Sequence, residues 1–396
     1  MHRSTWLTYI PFVVVSLSVA VGFHLYLYRR LVKGMTDSRR IRALGVGAFV
    51  LLGALIMAGP IASRMYPTSR LGQAGYLWFA VAFYLFTTLL LVDLAFFLAR
   101  LLGRVRKAAP PAPPAPQGPE SVERRVFLAR AARTSASLAA VGVTGFGFQE
   151  AWAPARITEV PVKLPRLPPA LSGLTLAQLT DIHVGAWIDR RFIEDLVART
   201  NSIKADAVFI TGDLVDGSVA DLRSMVAPLA RLRSRFGTYF VTGNHEYYSG
   251  VDEWCAELER MGITVLRNRH VALGDPSASL DLVGVDDWNG GRGMGQSADL
   301  KKATAGRDPS RAAILLAHQP KGVEQAAAAG IGLQLSGHTH GGQIWPWSYA
   351  VRLAYPFFKG RYQVGEMTLY VSNGCGLWGP PVRVLAPPEV VKVVLG

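Results

Sequence analysis

Five short apolar runs in the second half of the chain each end in residues that can bind metals, and this repetition restricts the fold more than any other feature. "LTLAQLTDIHVG" ends in Asp181 and His183, "DAVFITGDLVDG" in Asp213 and Asp216, and "GTYFVTGNHEYY" in Asn244, His245 and Glu246. "RAAILLAHQP" ends in His318, and "GLQLSGHTHGGQ" in His338 and His340. Between them, Arg191–Ile203, Asp221–Arg235 and Asp252–Met261 carry apolar residues near three-four spacing, which predicts helices. Strands alternating with helices imply an α/β architecture with substantial parallel pairing. Such sheets bind their ligands at the carboxyl ends of the strands. All five polar clusters fall there.

The chain has eight histidines, and five of them sit in these clusters. One buried histidine is commonly satisfied by a backbone carbonyl; five at corresponding strand ends argue for a shared task. Alternate side chains of an extended segment share a face, so His338 and His340 are expected to point the same way. Carboxylate, imidazole and amide donors without thiolate suit manganese, iron or zinc. The clusters offer more donors than the roughly four that one ion takes, so two divalent ions ~3.5–4 Å apart are expected, sharing a carboxylate. Such a pair activates a bridging water and stabilises charge developing on a phosphoryl group. The two cysteines, Cys255 and Cys375, match no zinc-ribbon or Cys-x-x-Cys spacing, and a disulfide between them stays open.

The first third reads as membrane. Trp6–Tyr28, Ala43–Ala62 and Tyr76–Leu98 are apolar runs near the ~20 residues that span a bilayer as a helix. The third carries one acid, Asp93, which is expected at the interface. The net charge of +14 would ordinarily suggest nucleic acid, but residues 1–133 hold 17 Lys/Arg against 4 Asp/Glu, and residues 134–396 hold 25 against 24. With no positive excess outside the membrane region, a nucleic-acid partner is not expected. Residues 1–107 are thus a membrane region with spans at about 6–28, 43–62 and 76–98. Arginine and lysine density in the connections puts the first and third of these in the cytoplasm.

A proline-rich stretch, "AAPPAPPAPQGP", makes 108–123 a semi-rigid cytoplasmic linker. Over 124–155, Arg124-Arg125 precede a mild Gly/Ala/Thr-rich stretch, a pattern like a twin-arginine export signal read by that translocation machinery. A fourth membrane segment is the alternative. Either takes the chain outward and leaves residues 156–396 as a domain on the outer face.

In this order, "DIH", "GD", "GNHE", "AH" and "GHTH" resemble the calcineurin-like metallophosphoesterase superfamily over about Leu174 to the C-terminus. The resemblance implies a two-sheet sandwich flanked by helices. It also implies that Asp181, His183 and His340 hold one ion, that Asn244, His318 and His338 hold the other, and that Asp213 bridges them. His245 would serve as general acid near the leaving oxygen, with Asp216 orienting it. Protein phosphatases of the superfamily follow G-D-x-x-D with Arg-Gly, and here "GDLVD" is followed by Gly217-Ser218 instead, which disfavours that activity. The "GHTHGGQ" form and the arginine pair look like the bacterial membrane-associated branch. Its relatives include phosphodiesterases and hydrolases of the UDP-2,3-diacylglucosamine precursor of lipid A, although an outward-facing domain suits that cytoplasmic substrate poorly. A metal-binding but inactive sensor or scaffold is the alternative from another class.

After the paired glycines, "IWPWSYAVRLAYPFFKGRY" interleaves aromatic and basic residues. That composition fits a membrane interface or an amphiphilic phosphate ester, and equally aromatic packing in a hairpin of the sandwich.

Overall fold

The structure is a computed structural model that describes residues 5–106 and 119–396. Most of the linker expected at 108–123 lies outside the described residues. Its last positions open a helix, Pro119–Ala151, that also contains the arginine pair. The chain divides into two compact units, Met1–Ala62 with Arg70–Phe146, and Ser63–Ser69 with Gly147–Gly396.

In the first unit the three expected spans are helices Thr5–Tyr28, Arg39–Met65 and Arg70–Arg106. The last two extend past their apolar runs because backbone hydrogen bonding continues through flanking arginines, which are good helix formers. Among the described residues, the helical stretches Arg39–Met65, Arg70–Leu102 and Glu123–Ala151 are long and apolar enough to cross a membrane. Their apolar side chains are mostly unburied by protein, an arrangement that lipid satisfies and water does not. Asp93 is not a lone interfacial charge: it accepts from Tyr26 Oη at 2.7 Å and pairs with Arg30 Nε at 2.8 Å. Pairing of this kind is what lowers the cost of a carboxylate at membrane depth.

The second unit is a two-sheet sandwich. Its strands are β1 (Arg156–Val162), β2 (Thr175–Leu179), β3 (Ala207–Thr211), β4 (Thr238–Val241), β5 (Thr264–Val265), β6 (Arg269–Asp275), β7 (Ala278–Gly284), β8 (Ala313–Leu316), β9 (Leu333–Ser336), β10 (Gly360–Val364), β11 (Met367–Val371) and β12 (Glu389–Leu395). The first sheet runs β1-β12-β2-β3-β4-β5, with β2 to β5 parallel; the second runs β10-β11-β9-β8-β7-β6, with β11, β9, β8 and β7 parallel. Leu176, Phe209, Val241, Leu282, Ile314, Leu335 and Val393 are buried in one cluster that draws on both sheets. Two further clusters lie outside it: Ile193, Leu222 and Trp254 of the helices meet the first sheet, and Val323 and Ala326 meet the second. Both faces of each sheet are therefore covered, which is why the central strands read as continuous apolar runs rather than alternating ones.

Two helix predictions hold to within a residue or two, as Arg190–Ser202 and Val251–Arg260. The third overshoots: Val219–Val226 gives way to a tighter turn, Ala227–Arg231, at Pro228, which has no N–H for the α-helical ladder. Cys255 and Cys375 are both free and buried.

Candidate metal centre

Both sheets deliver donors to one place. Asp181 and His183 follow β2, Asp213 and Asp216 follow β3, and Asn244 and His245 follow β4. His318 follows β8, and His338 and His340 follow β9. Every one of the sequence-predicted residues is brought to the carboxyl end of its sheet.

The backbone turns sharply to do this. Asp181, His183, Asp213, His338 and His340 all have φ between +50° and +69°. Non-glycine residues seldom adopt that left-handed region, and such strain clusters at functional sites. It corrects the expectation for the last pair. His338 and His340 do not extend β9, which ends at Ser336; His340 starts a tight turn, His340–Gly342. Their rings accordingly diverge. His338 Nδ1 lies 3.2 Å from His318 Nε2, whereas His340 Nε2 lies 3.1 Å from His183 Nε2.

Two donor sets emerge, with ligand atoms within 4.8 Å of one another in each: Asp181, His183 and His340, and Asp213, His318 and His338. A third set of the same kind, His183, Asp213 and His245, overlaps both. The Asp213 carboxylate links them. Its Oδ1 accepts the His245 backbone N–H at 2.9 Å, and its Oδ2 lies 3.0 Å from His318 Nε2, 3.8 Å from His183 Nε2 and 4.0 Å from His245 Nε2. Gly243 leaves room for this carboxylate, since a Cβ there would collide with Asp213. Asn244 Oδ1 is buried without a hydrogen-bond partner. Imidazole nitrogens facing each other, and a buried amide oxygen without a donor, are costly unless something positive satisfies them. Carboxylate, imidazole and amide donors without thiolate fit a pair of borderline-to-hard divalent ions.

Neighbouring groups orient the donors. Asp216 Oδ1 accepts from both His183 Nδ1 at 3.0 Å and His245 Nδ1 at 2.6 Å, so both rings turn their Nε2 atoms inward. His318 Nδ1 donates to the Thr211 carbonyl at 2.8 Å, which likewise frees Nε2. His338 is reversed: Nε2 meets Tyr355 Oη at 2.7 Å and leaves Nδ1 toward the site. Asp181 accepts the His338 backbone N–H on both oxygens at 2.9 Å and Thr180 Oγ1 on one at 2.8 Å.

The charge balance follows from these contacts. Burial disfavours charge on His245, but Asp213 and Asp216 outweigh it and raise that imidazole to about 9. His318 is raised in the same way, against burial, by Asp213. Burial and the neighbouring His318 push His338 down to about 3. Burial, His183 and Arg383 hold His340 well below the usual histidine range. Burial opposes ionisation of Asp213 and Asp216, yet the adjacent histidines hold both below the carboxylate range.

Three residues without a role assigned from sequence prove central. Glu246 is fully buried and accepts the backbone N–H groups of Asp213, Leu214 and Gly243 at 3.0, 2.8 and 2.6 Å, fixing the turns after β3 and β4 together. Its place in "GNHE" was the available signal. Tyr355 comes from the aromatic stretch after the glycines. Arg383, also fully buried, donates to the carbonyls of Asn373, Gly376 and Ala386 and places Nη2 3.4 Å from His340 Nδ1. It stands alone in "PPVRVLAPPE", where no pattern marks it.

The family model for calcineurin-like phosphoesterases matches residues 174–342. A transmembrane protein with a metallophosphoesterase domain from Bos taurus is 42% identical over 261 residues, 63% of this chain and 59% of that one. A metallophosphoesterase from Helicobacter pylori strain J99 is 39% identical over 274 residues, 69% of this chain and 72% of that one. The chain thus spans less than two thirds of the bovine relative. A solved structure, the calcineurin-like phosphoesterase YfkN from Bacillus subtilis, aligns over 51% of this chain and 82% of its own with a TM-score of 0.35 and 14% identity, too loosely to carry an argument.

Proposed function

This chain belongs to the calcineurin-like metallophosphoesterases, and from that premise we propose that it is a membrane-associated hydrolase of phosphodiester, phosphomonoester or pyrophosphate bonds in lipid-linked substrates. The observation that carries the reading is Asp213 Oδ2, placed between the two imidazole sets. Asp181, His183 and His340 would hold one divalent ion and Asn244, His318 and His338 the other, with Asp213 common to both. We take manganese as the native metal, with iron or zinc as alternatives that metal analysis of the purified protein distinguishes. Two such ions supply a water acidic enough to attack at neutral pH and neutralise charge on the phosphoryl oxygens.

The protein's own part is positioning and proton transfer. Asp216 holds the His245 ring through Nδ1, which points Nε2 into the site as the proton-bearing atom. The Asp216 carboxylate beside the ring favours its protonated form, so His245 can donate that proton to the departing ester oxygen. The complete donor set weighs against an inert sensor, which would be free to lose Asp213 or His245. The helices capable of crossing a membrane support a lipid-linked substrate. We further assign the catalytic domain to the outer face, delivered through the twin-arginine-like segment; a C-terminal alkaline phosphatase fusion that stays inactive contradicts this.

The enzyme reading is tested by hydrolysis of bis(p-nitrophenyl) phosphate by the full chain in detergent with added manganese. Turnover in the wild type and none in Asp213→Ala supports it. No turnover in the metal-loaded wild type, or full turnover in the variant, ends it.

A further inference from the structure

The segment that follows the metal-site glycines packs as a hairpin only at its end, where β10 pairs with β11 and Phe357 and Tyr362 lie against the second sheet's outer cluster; the part before them does not. Helix Ser348–Ala354 buries none of its residues, and Leu353 at its end is 90% exposed. Trp347 and Trp378 are each 53% exposed and Leu385 is 65% exposed. Single exposed apolar residues are ordinary, but these come from chain segments tied together. The Gln343 side-chain amide clasps the backbone of Trp378, its Oε1 accepting the Trp378 N–H at 3.1 Å and its Nε2 donating to the Trp378 carbonyl at 2.9 Å. The backbone N–H of Trp345 donates to the Val384 carbonyl at 3.3 Å, and Lys359 Nζ donates to the Leu385 carbonyl at 3.3 Å.

The chain segment that carries most of this surface is basic, while Glu150 in the neighbouring helix turn is paired with Arg156. From Gln325 to Gly365 the chain contains no Asp or Glu, while Arg352, Lys359 and Arg361 fall within it. Tryptophans at a surface with basic residues beside them match the headgroup layer of an anionic leaflet, where indole rings settle and cations meet lipid phosphate. Membrane lies close by along the chain. The stretch Glu123–Ala151 is long and apolar enough to cross a bilayer, and its last turn packs on this same region. The Gly147 carbonyl accepts the Arg383 N–H at 2.9 Å, and a Cβ on Gly147 would lie 2.7 Å from Val384. On its other side the surface reaches the metal centre, since Tyr355 directly follows the helix and its Oη is 2.7 Å from His338 Nε2.

We infer that this face docks on an anionic bilayer surface, with Trp347, Leu353 and Trp378 at headgroup level and Arg352 and Lys359 against lipid phosphates. Docking brings the metal centre within reach of phosphate esters in the headgroup layer. That last consequence rests on the phosphoesterase reading; the docking does not.

The test uses the full chain in nanodiscs of phosphatidylcholine with or without phosphatidylglycerol. Leu353→Cys is labelled with an environment-sensitive fluorophore, selectively, because Cys255 and Cys375 are buried. Asp308→Cys, exposed and remote in sequence, is the control. Expected are blue-shifted emission at position 353 and several-fold stronger quenching by spin-labelled lipid than at 308. Both deepen with phosphatidylglycerol and weaken in Arg352→Glu/Lys359→Glu. Equal quenching at the two positions overturns the inference. A blue shift that spin-labelled lipid leaves unquenched means a protein surface, such as a second copy, covers the face, and overturns it too. Bis(p-nitrophenyl) phosphate turnover on the same discs separates the readings: lost turnover with quenching retained strikes the enzyme reading alone, and the reverse strikes the docking alone.

Discussion

Where the first sheet meets the metal centre its residues are steadied by carboxylates, and where the second sheet meets it they are steadied by neutral or cationic groups. Asp216 holds His183 and His245, and Glu246 holds the turns after β3 and β4. On the other side Tyr355 faces His338 and Arg383 faces His340. The consequence is a gradient of proton affinity across a few ångströms, with His245 raised to about 9 and His338 lowered to about 3. Negative charge is concentrated where two cations and a proton donor must be held together. From the second sheet His338 and His340 are held neutral, ready to ligate without first losing a proton, whereas His318 beside Asp213 holds its proton until a metal replaces it.

If that division is right, removing charge from the first-sheet half has the largest effect. Asp213→Ala deletes the carboxylate both sets share, and bis(p-nitrophenyl) phosphate turnover is expected to fall by about 10³-fold or more, with bound metal falling together with it. Retention of two metals per chain by elemental analysis would show that Asp213 is not the link.

Asp216→Asn comes next. It keeps the shape but takes the charge from His245, so kcat is expected to fall about 10²-fold, the lower end for a disturbed general acid. The proton-bearing form is the active one, so activity is lost as pH rises through its pKa. Without Asp216 the alkaline limb of the pH profile moves to lower pH. A variant with reduced kcat and an unmoved alkaline limb would make Asp216 a structural residue only.

Much of this was legible in the residues. Donors at five strand ends stand out because apolar runs and polar strand ends follow directly from a sheet buried on both faces. The ligand types follow from coordination chemistry. Other features depend on contacts distant in sequence. Arg383 acts on backbone carbonyls of Asn373, Gly376 and Ala386, which any residue type supplies, so no pattern announces it. Tyr355 reaches His338 only because the chain doubles back after the glycines. The left-handed φ values of His338 and His340 were hidden by the assumption that β9 continues through them; β9 in fact stops at Ser336. Asp93 needed helix Thr5–Tyr28 placed beside it before Tyr26 and Arg30 could be named as partners.

Tyr355→Phe probes the second-sheet half with a smaller change. It removes only the hydroxyl facing His338 Nε2, and such outer partners are worth about 10-fold or somewhat more in metal affinity. The expected result is a rise of that order in the manganese concentration giving half-maximal activity, with kcat at saturating metal close to wild type. A fall in kcat that excess manganese does not restore would place Tyr355 in the chemistry instead.

The smallest effect concerns the protein stripped of metal by a chelator, where protons alone balance the site. His245 and His318 bind their protons more tightly when folded than the ~6.5 of a free histidine. Their contribution to stability is fully present below that value and is lost as pH rises, for His245 through about 9. His338 and His340 behave oppositely. The unfolded chain takes up their protons near 6.5 while the folded one resists, so stability falls as pH drops from there, for His338 toward about 3. Melting temperature of the chelated protein should therefore peak near the free-histidine value and decline on both sides. Metal should move the peak upward, because ligation replaces the protons on His318. His245→Ala should flatten the alkaline side alone. An unchanged alkaline decline in that variant would mean the proton affinity attributed to the first-sheet half resides elsewhere.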